Sequence, residues 1–187
     1  MTDGTAAGRR RSSRRWWAGA AVVVAVLGAL VVLGANRPAD PYFLEGAGRP
    51  LAGTFRSVSF TIGAPGAEAS GAAERCAFLA ESAEEQGRGL MNVTDLEGRD
   101  GMLFRFAEDV TTGFFMKDTP MPLSIAWFDA DGDFVSATNM APCLDRPSCP
   151  TYPPAGPYRY ALEVPQGRLP DLGAVPGSRL SVGGPCG

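Results

Sequence analysis

The sequence predicts a mainly β, α+β domain with one or two short helices. It should form a small closed or nearly closed β barrel or sandwich behind an N-terminal transmembrane helix. Three observations predict this. Residues 16–35 (WWAGAAVVVAVLGALVVLGA) carry no charge and follow a run of arginines. Beyond residue 53, short runs of alternating apolar and polar residues recur between glycines and prolines. The clearest helix start after the apolar run is Ser82-Ala83-Glu84-Glu85, a capping box.

Residues 1–15 are read as a basic cytoplasmic tail, with five arginines against one aspartate. As a helix, residues 16–35 span about 30 Å, the thickness of a hydrocarbon core. Arg9, Arg10, Arg11, Arg14 and Arg15 flank one end and place it inside the cytoplasm. Trp16 and Trp17 stand where interfacial anchors belong. The lipid bilayer is thus a predicted partner of residues 16–35. The chain is read as single-pass in the cytoplasmic membrane, with its domain outside. A cleaved signal peptide is the alternative, since Ser13-Arg14-Arg15-Trp16-Trp17 looks like a twin-arginine signal; the domain would then be secreted. Against cleavage, the apolar run exceeds the usual h-region of roughly 7–15 residues, and Leu33-Gly34-Ala35 is a poor small-x-small site.

Residues 36–53 hold three prolines and three glycines and read as a flexible linker. Residues 54–187 form the predicted extracytoplasmic β domain. Its first strand is placed at 54–62, where Phe55, Val58, Phe60 and Ile62 alternate with polar residues, and a second at 75–80. The capping box opens a helix of two or three turns, weakened by Gly87 and Gly89. Further strands are placed at 100–106, 112–116, 123–129, 134–140 and 158–164. Asp131-Gly132 makes the hairpin turn before Phe134. Residues 141–157 are a proline-rich loop, 169–173 a helical turn, and 179–182 a closing strand.

Charge and composition narrow the function. The net charge of -3 divides into +4 over residues 1–15 and -7 over the rest. An acidic domain repels phosphate backbones, which argues against nucleic acid. The chain has no histidine, so the commonest general base and metal ligand are missing. No metal or cofactor is predicted. Asp129-Ala130-Asp131-Gly132-Asp133 fails the EF-hand pattern, with glycine at its fourth place and Met140 where a glutamate belongs. It reads as a hairpin tip with solvated carboxylates. Cys76, Cys143, Cys149 and Cys186 lie on the oxidising side of the predicted membrane, where disulfides are expected. Cys143 and Cys149 share one loop, which favours Cys143–Cys149 and leaves Cys76–Cys186. A catalytic cysteine would need an activating base.

The candidate ligand-binding residues are Arg88, Lys117, Asp118, Thr119 and Glu163. Lys117 is the single lysine among seventeen basic residues and stands in the apolar run from Phe114 to Phe128. Pro120 and Pro122 must bend the chain just after it. The plainer reading sends Lys117 to solvent and lets Asp118 cap the turn. Arg88 precedes Gly89, where glycine admits a close backbone approach. Alternation puts Glu163 with Ala161 and opposite Leu162 and Val164, on a solvated face by default. In a central strand it could pair with Lys117 or Arg88.

Five motifs in order carry a resemblance. They are Arg88-Gly89-Leu90-Met91, Asp100-Gly101-Met102-Leu103-Phe104, the run through Lys117-Asp118-Thr119 to Asp129, Met140-Ala141-Pro142-Cys143, and Tyr160-Ala161-Leu162-Glu163-Val164-Pro165. Over about residues 75–183 the chain resembles the bacterial and archaeal family called domain of unknown function 192. The resemblance implies a compact, mostly β fold with a short helix, often behind a signal or anchor, and no settled activity. The family usually has tryptophan where this chain has Phe115, asparagine where it has Asp118, and aspartate where it has Ser124. The last difference weakens any acid–base or metal role built on that carboxylate.

Three functional readings follow. The first is a membrane-anchored envelope module binding a polar or anionic small ligand or glycan through Arg88 and Lys117. The second is an envelope enzyme of hydrolase type using Lys117 with Asp118 or Glu163; no catalytic residue is assigned. The third is a structural component of an envelope complex, with protein partners unspecified.

Overall fold

The computed structural model describes residue 51, residues 54–66 and residues 72–187. The basic tail, the predicted membrane segment and nearly all of the linker lie outside the described residues. Among the described residues no helix is long and apolar enough to cross a membrane.

Among the described residues nine strands form in chain order: β1 (Arg56–Gly63), β2 (Arg75–Ala80), β3 (Gly101–Val110), β4 (Phe114–Phe115), β5 (Leu123–Phe128), β6 (Phe134–Met140), β7 (Thr151–Tyr152), β8 (Tyr158–Pro165) and β9 (Arg179–Pro185). One helix, α1 (Ala83–Arg88), stands between β2 and β3, and a 3-10 turn (Pro170–Leu172) between β8 and β9. Seven strands make one sheet in the order β6-β5-β8-β3-β2-β1-β9, and β4 pairs with β7 in a separate two-stranded ribbon. The fold is α+β as predicted.

The predicted barrel needs correction. The sheet is open, with β6 and β9 at its edges. These edges meet at one corner, where Phe134 N donates to Ser178 O and Leu180 N donates to Gly132 O. There the hairpin tip docks on the start of β9, and Arg179 pairs with Asp133 at 2.7 Å. The Asp129 carboxylate accepts from the Asp131 and Asp133 amides, which shapes the tip. A barrel needs a full ladder between the edges, and one corner does not supply it.

Local chemistry explains the elements. The Ser82 hydroxyl accepts from the Glu85 amide and the Glu85 carboxylate accepts from the Ser82 amide, which starts α1 as predicted. The helix runs only six residues, shorter than predicted. Gly89 ends it at φ 45°, a conformation that side chains disfavour. Gly101 faces the Glu163 carbonyl so closely that a Cβ would lie 2.0 Å from that oxygen. Glycine there lets β3 and β8 pair.

Alternation gives the sheet two apolar faces. Phe78, Met102, Phe104, Ile125, Trp127 and Ala161 share one face. Phe60, Leu79, Leu103, Phe128, Leu162 and Val164 share the other, where Leu169 and Leu172 cover them. The first face is covered by the loop after α1, through Leu90 and Val93, and by Met116. Two disulfides brace the chain. Cys76–Cys186 joins β2 to the end of β9, and Cys143–Cys149 closes a short loop ahead of β7.

Candidate functional site

β8 is a central strand, flanked by β3 and β5. Its residue Glu163 stands opposite Met102 on one side and Ile125 on the other. The residue therefore points from the middle of the sheet into the covered face. It is only 4% exposed. The solvated face expected for it is corrected: alternation gave the right face, but the segments near residues 90 and 116 lie over it. Burial pushes the Glu163 carboxyl up to about 8, and desolvation is the cause. At neutral pH most of it is protonated. No hydrogen bond or ion pair joins its side chain to another described residue. The pairings with Lys117 or Arg88 that a central strand would permit are not formed.

Glu163 lines a cavity of about 250 Å³. The roof is the C-terminal end of α1 and the turn after it, from Gln86 to Met91. The far wall is the segment leading into β4, with Thr112, Gly113, Phe114 and Phe115. Phe104, Phe106 and Tyr158 come from the sheet. The aromatic rings pack edge to face. Phe104 and Phe114 lie 5.0 Å apart between centroids, and Phe106 and Tyr158 lie 5.3 Å apart. The Tyr158 hydroxyl donates to the Thr112 carbonyl at 2.8 Å, which ties the far wall to β8. Burial pushes this phenol well above its ordinary range, so it stays a donor.

Three of the five predicted site residues share this cavity: Arg88, Thr119 and Glu163. Thr119 is buried and donates its hydroxyl to the Lys117 carbonyl at 3.2 Å. Arg88 lies at the rim, with its guanidinium over the Phe55 ring at 5.3 Å from the centroid. Phe55 is not part of the cavity wall. Lys117 and Asp118 do not line the cavity. Lys117 is half exposed, and its Nζ lies 3.8 Å from the Asp118 carboxylate. Asp118 turns the chain at φ 52°. Its amide donates to Cys143 O, and its carbonyl accepts from Asn92 N. The Lys-Asp pair therefore belongs to the bend that holds the far wall.

Ser124, where the resembled family has an aspartate, lies on the other face of the sheet. Its neighbour Ile125 is the residue that pairs with Glu163, and Ser124 itself pairs with Val164. Its hydroxyl donates to Asn139 Oδ1 at 2.6 Å and accepts from Gly167 N at 2.9 Å. The missing carboxylate takes nothing from the cavity. Sequence reasoning missed the aromatic wall. Phe104, Phe106, Phe114 and Tyr158 read as core residues of separate strands, and only pairing across the sheet gathers them. Among the described residues no group of acidic, cysteine or histidine side chains is placed to hold a metal.

The fold and the cavity define a small α+β domain that sinks one unpaired carboxyl into an aromatic-walled pocket. The chain belongs to the family called domain of unknown function 192, DUF192, described as "Uncharacterized ACR, COG1430", whose model matches residues 67–182. No curated protein matches the chain. Among the solved structures that share the fold are two proteins of bacterial origin. One is a protein of unknown function from Novosphingobium aromaticivorans DSM 12444. It is 26% identical with a TM-score of 0.59, over 78% of this chain and 99% of that one. The other, from Sinorhizobium meliloti 1021, carries a provisional description as a transcription regulator. It is 24% identical with a TM-score of 0.57, over 68% of this chain and 95% of that one.

Proposed function

We propose that the chain is a membrane-tethered module of the cell envelope whose exported domain binds a small organic molecule in the cavity beside α1. The observation that carries this reading is Glu163. A buried carboxyl without a partner costs stability, and a core position in a central strand would ordinarily be apolar. A ligand that completes its hydrogen bonding accounts for its presence. The mostly apolar wall with a few convergent polar groups fits a small-molecule pocket. The tether and the envelope location rest on residues 9–35 of the sequence. Of the predicted cation pair, Arg88 lines the cavity beside Glu163 and Lys117 does not.

Isothermal titration of the full chain in detergent against a panel of small cations, neutral molecules and anions tests this. One class should bind one to one and shift the amide resonances of Gly89, Thr112 and Gly113. Lys117→Ala should keep that binding. A panel without saturable binding, or shifts confined to other residues, would overturn the reading.

The same carboxyl supports an envelope hydrolase as a second reading. A carboxylic acid still protonated near pH 7 is suited to donate a proton to a leaving group. Turnover that falls in Glu163→Gln while binding survives would favour it over a binding module.

A further inference from the structure

We propose that the cavity's ligand is an organic ammonium ion, held by the Glu163 carboxylate and the aromatic rings around it. This inference rests on the binding reading above and names the class of ligand.

The ionisable residues lining the cavity are Arg88, Tyr158 and Glu163. The Tyr158 hydroxyl is committed to the Thr112 carbonyl. The Arg88 guanidinium stacks over Phe55, a ring outside the wall. Of the elements packed against Glu163, β3 presents Met102 and β5 presents Ile125, and neither titrates. Lys117 and Asp118 face each other outside the cavity. Glu163 is therefore the ionisable side chain that reaches the interior with its hydrogen-bonding capacity unspent.

The wall selects among ligands. Phe104, Phe106, Phe114, Phe115 and Tyr158 line the same cavity as the carboxyl. Aromatic faces attract a cation through the ring quadrupole and offer little to a neutral donor. An anion would lie against the rings and the Glu163 carboxyl, with the Arg88 guanidinium drawn aside over Phe55. An ammonium meets attraction from the rings and the carboxylate, and its alkyl or aryl body fills the apolar remainder. Phe115, also in the lining, is 46% exposed.

The proposal carries a pH signature. Glu163 is held mostly neutral at pH 7 by burial. It must ionise to pair with a cation, so ammonium binding releases a proton. Affinity should rise about tenfold per pH unit up to the midpoint near 8, and then level off. A neutral or anionic acceptor of the carboxyl proton would bind more weakly as pH rises.

The test uses benzylammonium, benzyl alcohol and benzoate, which share a shape and differ in charge. Tetramethylammonium is added as a cation that cannot titrate. Each is titrated into the full chain in detergent between pH 6 and 8.5. The cations should bind at least tenfold more tightly than the alcohol and benzoate, with affinity rising with pH. Glu163→Gln should lose that preference and its pH dependence. On the unmutated chain, the carboxyl ¹³C resonance of Glu163 should titrate at lower pH when a cation is bound, which tests the contact without a variant. Alcohol or benzoate binding as tightly as the cations, with shifts at the cavity amides, would overturn this ligand class and leave cavity binding standing. No cavity shift from any of the four compounds would overturn the ammonium proposal and count against the binding reading together.

Discussion

At the scale of single residues, Glu163 dominates. Its folded-state value of about 8 lies above the ordinary 4.5. The stability tied to its protonated form is complete below about pH 4.5 and is lost as pH rises to about 8. Over that window unfolding should become easier by roughly 1.4 kcal/mol per pH unit. The chain has no histidine, the side chain whose ordinary titration falls inside this window. Urea midpoints at pH 5, 6.5 and 8 should therefore fall steadily for the native chain and stay level for Glu163→Gln. A level native profile would show that Glu163 is ionised or relieved by solvent. The sequence revealed the identity of Glu163 and which neighbours share its face. It did not reveal that this face is covered. Alternation reports which way a side chain points, and the segments that cover it are far away along the chain. Lys117 shows the opposite case. A lone lysine in an apolar run drew attention by composition, yet the bend at Asp118 turns it to solvent.

At the scale of elements, the far wall of the cavity depends on a small ribbon. β4 and β7 are two residues each, and Phe114 pairs with Tyr152. A two-residue strand shows no alternation, so β7 could not be read within its proline-rich loop. β4 was legible as apolar sequence but was predicted longer. The ribbon is held by its surroundings. Cys143–Cys149 closes the loop that leads into β7, and Cys143 O accepts from the Asp118 amide. Replacing both cysteines with serine should loosen the wall without unfolding the sheet. Hydrogen exchange at Phe115 and Asp118 should accelerate at least tenfold, while exchange at Leu103 and Leu162 stays slow. Equal acceleration everywhere would mean that this disulfide supports the whole domain. The α1 helix was the most legible element, because a capping box is local chemistry.

At the scale of the whole molecule, the strand order was out of reach of the sequence. Nothing local specifies that β2 and β3 run parallel, or that β8 inserts between β3 and β5. Closure failed as a prediction for the same reason, since strand count alone does not set how edges meet. The longer-range of the two disulfides is Cys76–Cys186, whose ends are 110 positions apart. In the chain-entropy picture, a loop of that size stabilises by about 4–5 kcal/mol. Replacing both cysteines with alanine should lower the urea midpoint accordingly, and an unchanged midpoint would show that β9 needs no fastening. β9 pairs with β1, the first strand of the sheet, so the two ends of the described domain are neighbours. During synthesis, β1 keeps one edge bare until residues 179–185 have been made. A product stopped before residue 179 would carry an unsatisfied edge, open to pairing with another chain, and an unpaired Cys76.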